Sequence, residues 1–185
     1  LISISERVSS FKLLGVHVSS DMRWDAHIDS ICSKVNSKLY FLKQLKRAGL
    51  LADDLRKFYI TAIRPVLEYA CVVWHHGITQ GPSGSLEALQ KRAIRIIYQP
   101  VFGMSYTNAL SYSDLQSLYD RRVALSMKFF DKICQPDSCL NNLLPPKRDP
   151  ELLTKLRHAH TYPIPLTRTD KYCSFINYAL AHFQH

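Results

Sequence analysis

The apolar spacing of this chain changes period once, between Val18 and Asp25, and that change limits what its first quarter can fold into. Phe11-Lys12-Leu13-Leu14-Gly15-Val16-His17-Val18 is apolar and partly β-branched, as a strand is. Ser19-Ser20-Asp21 supplies turn chemistry. From Asp25 to about Arg47, Ile28, Ile31, Cys32, Val35, Leu39, Leu42 and Leu45 recur on one face at helical spacing, which predicts a long amphipathic helix. Asp25 is its expected N-cap, and Gly49 is its expected stop after Lys46 and Arg47.

Helical spacing continues downstream. A second periodic stretch runs from Asp53 through Leu55, Phe58, Tyr59, Ile63, Leu67 and Cys71 to Trp74, with Pro65 inside it. Proline removes a backbone donor and crowds the preceding turn, so a kink or break is expected near Thr61 to Arg64. Residues 77–84 read as a loop, and Ser85 to about Tyr98 as a third helix with Leu86, Leu89, Ala93, Ile96 and Ile97 on its core face. Ser113-Asp114-Leu115-Gln116 has the pattern of a capping box and is expected to open a fourth helix that ends at Ile133. Residues 140–168 hold five prolines and read as a linker with a short helix at Glu151 to His158, and the stretch Ser174 to Phe183 is again helical. The fold class is therefore mainly α: a short N-terminal β-hairpin, a helical bundle, and a less regular helical C-terminal region.

Charge narrows the class of partner. With 24 Lys and Arg against 15 Asp and Glu the net charge is +9, and residues 1–50 alone carry eight basic and four acidic groups. That balance suits a polyanion, or is simply a solvated basic surface. Lys34, Lys38, Lys43 and Lys46 are expected to form a basic flank of the first long helix, and Lys91, Arg92 and Arg95 a cluster on the third. Tyr40 and Trp74 are the aromatics best placed in sequence to touch bases. No apolar stretch approaches the about 18–20 residues that span a bilayer, so no membrane partner is expected. The odd set Cys32, Cys71, Cys134, Cys139 and Cys173 reads as reduced thiols of an intracellular protein. With Leu first and no basic-then-apolar leader, the chain reads as an internal fragment of something soluble.

Three blocks in order carry a resemblance to a known family. Phe11 to Ile28 resembles the end of the polymerase palm in reverse transcriptases of non-LTR (LINE-type) retrotransposons, where a Phe-Lys-x-Leu-Gly-Val strand precedes a His-Ile helix start. Tyr59-Ile60-Thr61-Ala62-Ile63-Arg64-Pro65-Val66-Leu67-Glu68-Tyr69-Ala70-Cys71-Val72-Val73-Trp74 is similar to a segment of jockey-like and CR1-like elements. Leu89-Gln90-Lys91-Arg92-Ala93-Ile94-Arg95-Ile96-Ile97 matches the helix that follows there. The match is good over about residues 11–98. It implies an end of palm with a primer-grip hairpin over 1–24, a helical thumb over 25–98, and a post-thumb region over 99–185.

By that resemblance, Lys12 and Gly15 belong to the primer grip, and Lys34, Lys38, Lys43, Lys46, Lys91, Arg92 and Arg95 face an RNA–DNA or RNA template-primer duplex. The partners implied are that duplex and the palm and fingers of the same polymerase, at work in the nucleus and cytoplasm. Mg²⁺ is implied for the complete RNA-directed DNA polymerase and no cofactor for this stretch, whose palm aspartates are missing, so the chain alone is not expected to polymerise. A second class stays open: a free-standing helical protein-interaction module derived from a decayed or domesticated element.

Two residue sets imitate metal sites. Asp53-Asp54 has the residue types of a two-Mg²⁺ doublet, but the family's doublet sits in a hairpin before the Leu-Gly strand, whereas this pair follows it. Asp53 is better read as an N-cap and Asp54 as a first-turn acid. Cys134, Cys139, His158 and His160 have zinc-ligand chemistry with loose spacing, and structural thiols with surface histidines account for them more simply. No phosphate loop, nucleophile elbow or His-Glu-x-x-His helix occurs.

Overall fold

The computed structural model describes residues 8–153, 160–165 and 174–184. The fold is mainly helical, with a two-stranded antiparallel hairpin at the start. The stretch expected as one strand folds back on itself. Strands β1 (Ser10–Leu13) and β2 (Val16–Ser19) pair with Phe11 opposite Val18, Lys12 opposite His17 and Leu13 opposite Val16. Leu14 and Gly15 form the turn with φ of 47° and 86°, the positive values at both central residues that a type I′ hairpin turn requires.

Helix α1 (Asp25–Arg47) buries Ile28, Ile31, Val35, Leu39 and Leu42, as its spacing predicts. Its N-cap is Trp24 rather than Asp25, which lies in the first turn. There a carboxylate favours the positive helix end without capping it. The C-terminus ends as expected at Gly49, φ 88°: Leu50 N–H donates to Leu45 O and Gly49 N–H to Lys46 O, the Schellman pair of bonds.

Pro65 disrupts the next stretch in a definite way. Helix α2 (Ala52–Phe58) passes into a π turn over Tyr59–Ile63 before α3 (Arg64–Glu68). Proline offers no N–H to the ladder, and one wide turn absorbs the misfit. Leu51 takes the N-cap position expected of Asp53, because the helix starts two residues earlier than that cap implies. Leu55, Tyr59, Ile63 and Leu67 are fully buried. At Ala70, φ 51°, the chain breaks direction into the short α4 (Cys71–Trp74).

Helix α5 (Gln80–Ile97) begins five residues before the expected Ser85. Gly81, Pro82 and Gly84 are compatible with this because they fall in or beside the first turn, where a proline's missing donor would be unpaired in any case. Helix α1 packs against α5, α2, the π turn, α3 and β2. Helix α6 (Tyr106–Ser113), capped by Ser105, lies between the third and fourth expected helices, where no helix is expected. The fourth expected helix does not open at Ser113, whose hydroxyl instead donates back to Ala109 O within α6. It opens as α7 (Leu118–Ile133), where Ser117 Oγ accepts from Asp120 N–H and donates to the Asp120 carboxylate. Glu87 reinforces that start by accepting from the N–H groups of Leu118 and Tyr119.

The described residues group into two compact units: one within residues 1–70 and 78–121, the other within 71–77 and 122–185. In the second, Phe130, Tyr162, Ala179, Leu180 and Phe183 form the apolar centre, with α9 (Phe175–His182) helical as the sequence predicts and capped by Ser174. Of the short helix expected at Glu151 to His158, α8 (Pro150–Leu153) is present, and residues 154–158 lie outside the described residues.

Candidate nucleic-acid interface

The hairpin carries two of the sequence-predicted residues. Lys12 is exposed on β1 beside His17. Gly15 is fixed by the fold: a Cβ there would lie 3.4 Å from the Tyr69 ring, and Tyr69 Oη donates to Leu14 O at 2.7 Å. Tyr69 therefore locks the turn, and Gly15 permits both its positive φ and its close approach. His27 holds the hairpin from α1, its Nδ1 accepting from His17 N–H at 3.3 Å. Burial, and then the neighbouring His17 and Lys34 charges, hold its pKa below the ordinary value, so the ring is neutral when it accepts.

The four lysines of α1 do not share one flank. Lys46 follows Leu42 by four residues and so continues the buried stripe; its Nζ donates to Ile97 O at the end of α5. There it neutralises the negative end of a helix. Lys34 and Lys38 continue through Phe41, Leu45 and Ala48 at steps of four, three, four and three, a second stripe. Lys43 lies on a third, Asn36-Tyr40-Lys43-Arg47, and all four of these residues are exposed.

The third stripe is joined by α5. Arg92 donates to Asn36 Oδ1 at 3.2 Å, which places its guanidinium at the seam of the two helices against a neutral partner. Arg95 is exposed on the same helix and Lys91 half-buried. Sequence reasoning missed Asn36 and Arg47, although their spacing from Tyr40 and Lys43 was the available signal. Tyr40 is 60% exposed and its ring stands edge-on to Phe41, centroids 5.9 Å apart. Trp74, the other aromatic candidate, is wholly buried, with the Arg122 guanidinium 5.8 Å from its ring centre. That burial removes it from any surface.

Carboxylates hold four of the described cations and leave these without one, a property they share with Arg47, Lys128, Lys132 and Arg148. Arg23, Arg56, Lys57 and Arg121 pair with carboxylates. Among the described residues no carboxylate pairs with Lys12, Lys34, Lys38, Lys43, Lys46, Lys91, Arg92 or Arg95. Apart from Lys46 and Arg92, they present their charge to solvent without a fixed partner.

Asp53 and Asp54 stand exposed in the first turn of α2, where Asp54 pairs with Lys57 at 3.3 Å. Among the described residues no group of three or more His, Cys, Asp or Glu side chains is placed to hold a metal ion. The doublet therefore does not fit the two Mg²⁺ ions of a polymerase. Cys134 is half-buried with its thiol pKa raised chiefly by burial, Cys139 is exposed, and His158 lies outside the described residues. The described cysteines carry free thiols. No described helix is long and apolar enough to cross a membrane.

Comparison with protein-family models, with curated proteins and with solved structures finds no match to this chain.

Proposed function

We propose that this chain is the thumb-containing C-terminal part of a non-LTR retrotransposon RNA-directed DNA polymerase, and that it holds a template-primer duplex through its phosphates. The resemblance of the three sequence blocks supplies the family. The observation that carries the binding reading is the set of cations without carboxylate partners, above all the exposed Lys43 and Arg95 and, at the seam of α1 and α5, Arg92. Such a surface suits a backbone-tracking contact, which gives affinity without base sequence. Lys12 lies on the hairpin, in the place the resemblance gives to the primer grip. Reaction chemistry is not part of this proposal, since Asp53 and Asp54 follow the Leu-Gly strand and stand in the first turn of α2, with Asp54 on Lys57.

A second reading, a helical module that binds protein, is favoured by one feature: Phe11 and Leu13, about half exposed, share one face of the hairpin. The test that separates them is fluorescence anisotropy of a labelled RNA–DNA hybrid across a salt series. Affinity should fall linearly on a log-log plot. Alanine at Lys43, Arg92 and Arg95 together should weaken binding and flatten the slope by about one for each phosphate no longer neutralised. An absence of binding even at low salt would leave only the protein-binding module.

A further inference from the structure

A cleft of about 470 Å³ lies on the other side of α1, away from Lys43 and Arg92. Its walls are Phe41, Leu45 and Ala48 of α1 and Phe58 and Ala62 of the facing segment, and its polar residues are Lys38 and Gln44. Ala48 and Ala62 contribute only methyl groups to that lining, where larger side chains would take up the space. Ala62 lies in the π turn, a device that often accompanies functional sites. The volume is within the range of small-molecule pockets and too small for a folded partner.

Three observations fix the occupant's chemistry. The walls are hydrocarbon, so the body of the ligand is apolar. Lys38 is half-buried with no carboxylate against it among the described residues, and Lys34, one turn earlier and exposed, adds charge of the same sign. At the Ala48 end the chain turns through Gly49 into α2, so the groove between these helices is closed there. A through-running peptide helix does not suit a groove closed at one end, whereas a short molecule does.

We propose that this cleft binds a free small molecule with an apolar body and a single anionic group, such as an aryl or medium-chain alkyl sulfonate or carboxylate. The anion lies against Lys38 and the hydrocarbon between Phe41 and Phe58. This site requires nothing of the nucleic-acid reading and stands if that reading fails.

Two fluorescent probes test it: 8-anilinonaphthalene-1-sulfonate, and N-phenyl-1-naphthylamine, the same body without the anion. The full chain should bind the sulfonate saturably at one site. Lys38→Gln should weaken the sulfonate roughly two- to fivefold and leave the uncharged probe nearly unchanged, as loss of one partly exposed ion pair predicts. Ala62→Phe should abolish binding of both probes. Ala48→Phe, at the exposed end of α1, should do the same if Ala62→Phe disturbs the fold by circular dichroism. Unsaturable binding, binding indifferent to a filling variant that keeps its fold, or equal losses of both probes in Lys38→Gln would overturn the proposal. A dimer by sedimentation that the sulfonate dissociates would assign the cleft to a second copy of the chain and also overturn it.

Discussion

In the interior of the first unit, neutral polar groups are linked in series and end on one half-buried carboxylate. Tyr59 donates its hydroxyl to Gln90 Oε1, and Gln90 Nε2 donates to the Tyr106 hydroxyl at 2.9 Å and to Gln116 O at 2.8 Å. Tyr106 in turn donates to Glu87, a half-buried carboxylate that also accepts from the start of α7. In the second unit a permanent cation is buried. Arg122 is fully buried beside Trp74, and its Nε donates to His75 Nδ1 at 3.3 Å. A neutral network fixes where helices meet at modest cost, whereas a buried guanidinium demands that its neighbours stay neutral. His75 obeys: burial, then Arg122, then His76 bring its pKa down to about 4.

The chain's two tryptophans, Trp24 and Trp74, fall one in each unit, so single-tryptophan variants can follow each interior separately. The largest expected effect is Trp74→Ala, which empties the space over Arg122 and should cost about 3–5 kcal/mol. In urea unfolding the circular-dichroism midpoint should fall further than the midpoint reported by Trp24. Equal falls would show that the two interiors unfold as one.

The next effect is set by pH. Folding holds the His75 pKa below its ordinary 6.5 at about 4, so its stability contribution is complete above pH 6.5. It is lost as pH falls toward about 4, because the unfolded chain takes up the proton first. The loss should approach about 3 kcal/mol, read by Trp74 emission in a Trp24→Phe background. His75→Asn should flatten that slope, and a slope that survives the substitution would assign the loss elsewhere.

In the first unit, Glu87→Ala strips an acceptor from two N–H groups and a hydroxyl. It should cost about 2 kcal/mol by urea titration, and Glu87→Gln should recover part of it. The smallest expected change is a gain. Leu14 is 83% exposed with φ 47°, so Leu14→Asn, the residue preferred before glycine in this turn, should stabilise the first unit by about 0.5–1 kcal/mol. A thermal midpoint that does not rise would mean that the Tyr69 bond to Leu14 O already determines the turn.

The parts legible in the sequence were those with local causes. The buried face of α1 follows from its spacing, its end from Gly49, and the disturbance before Pro65 from a missing donor. The parts that escaped are set at a distance. Lys46 looks like a solvent lysine until Ile97 O is beside it, and Trp74 looks like a surface aromatic until Arg122 covers it. The start of α7 was misplaced because Ser113-x-x-Gln116 and Ser117-x-x-Asp120 are both plausible boxes, and the choice belongs to Glu87 from another helix. At the candidate interface, residue types were legible. Their division among three stripes of α1 was readable only once the buried stripe was known.

The excursion of residues 71–77 bears on the order of synthesis. As the chain leaves the ribosome, Trp74 and His75 emerge before residues 78–121, which complete the first unit, and long before residues 122–185, which complete the second. For that interval the largest apolar side chain of the second interior has nowhere to go. A nascent chain stalled near residue 121 should therefore display an exposed tryptophan on an otherwise compact body, the kind of surface to which chaperones bind.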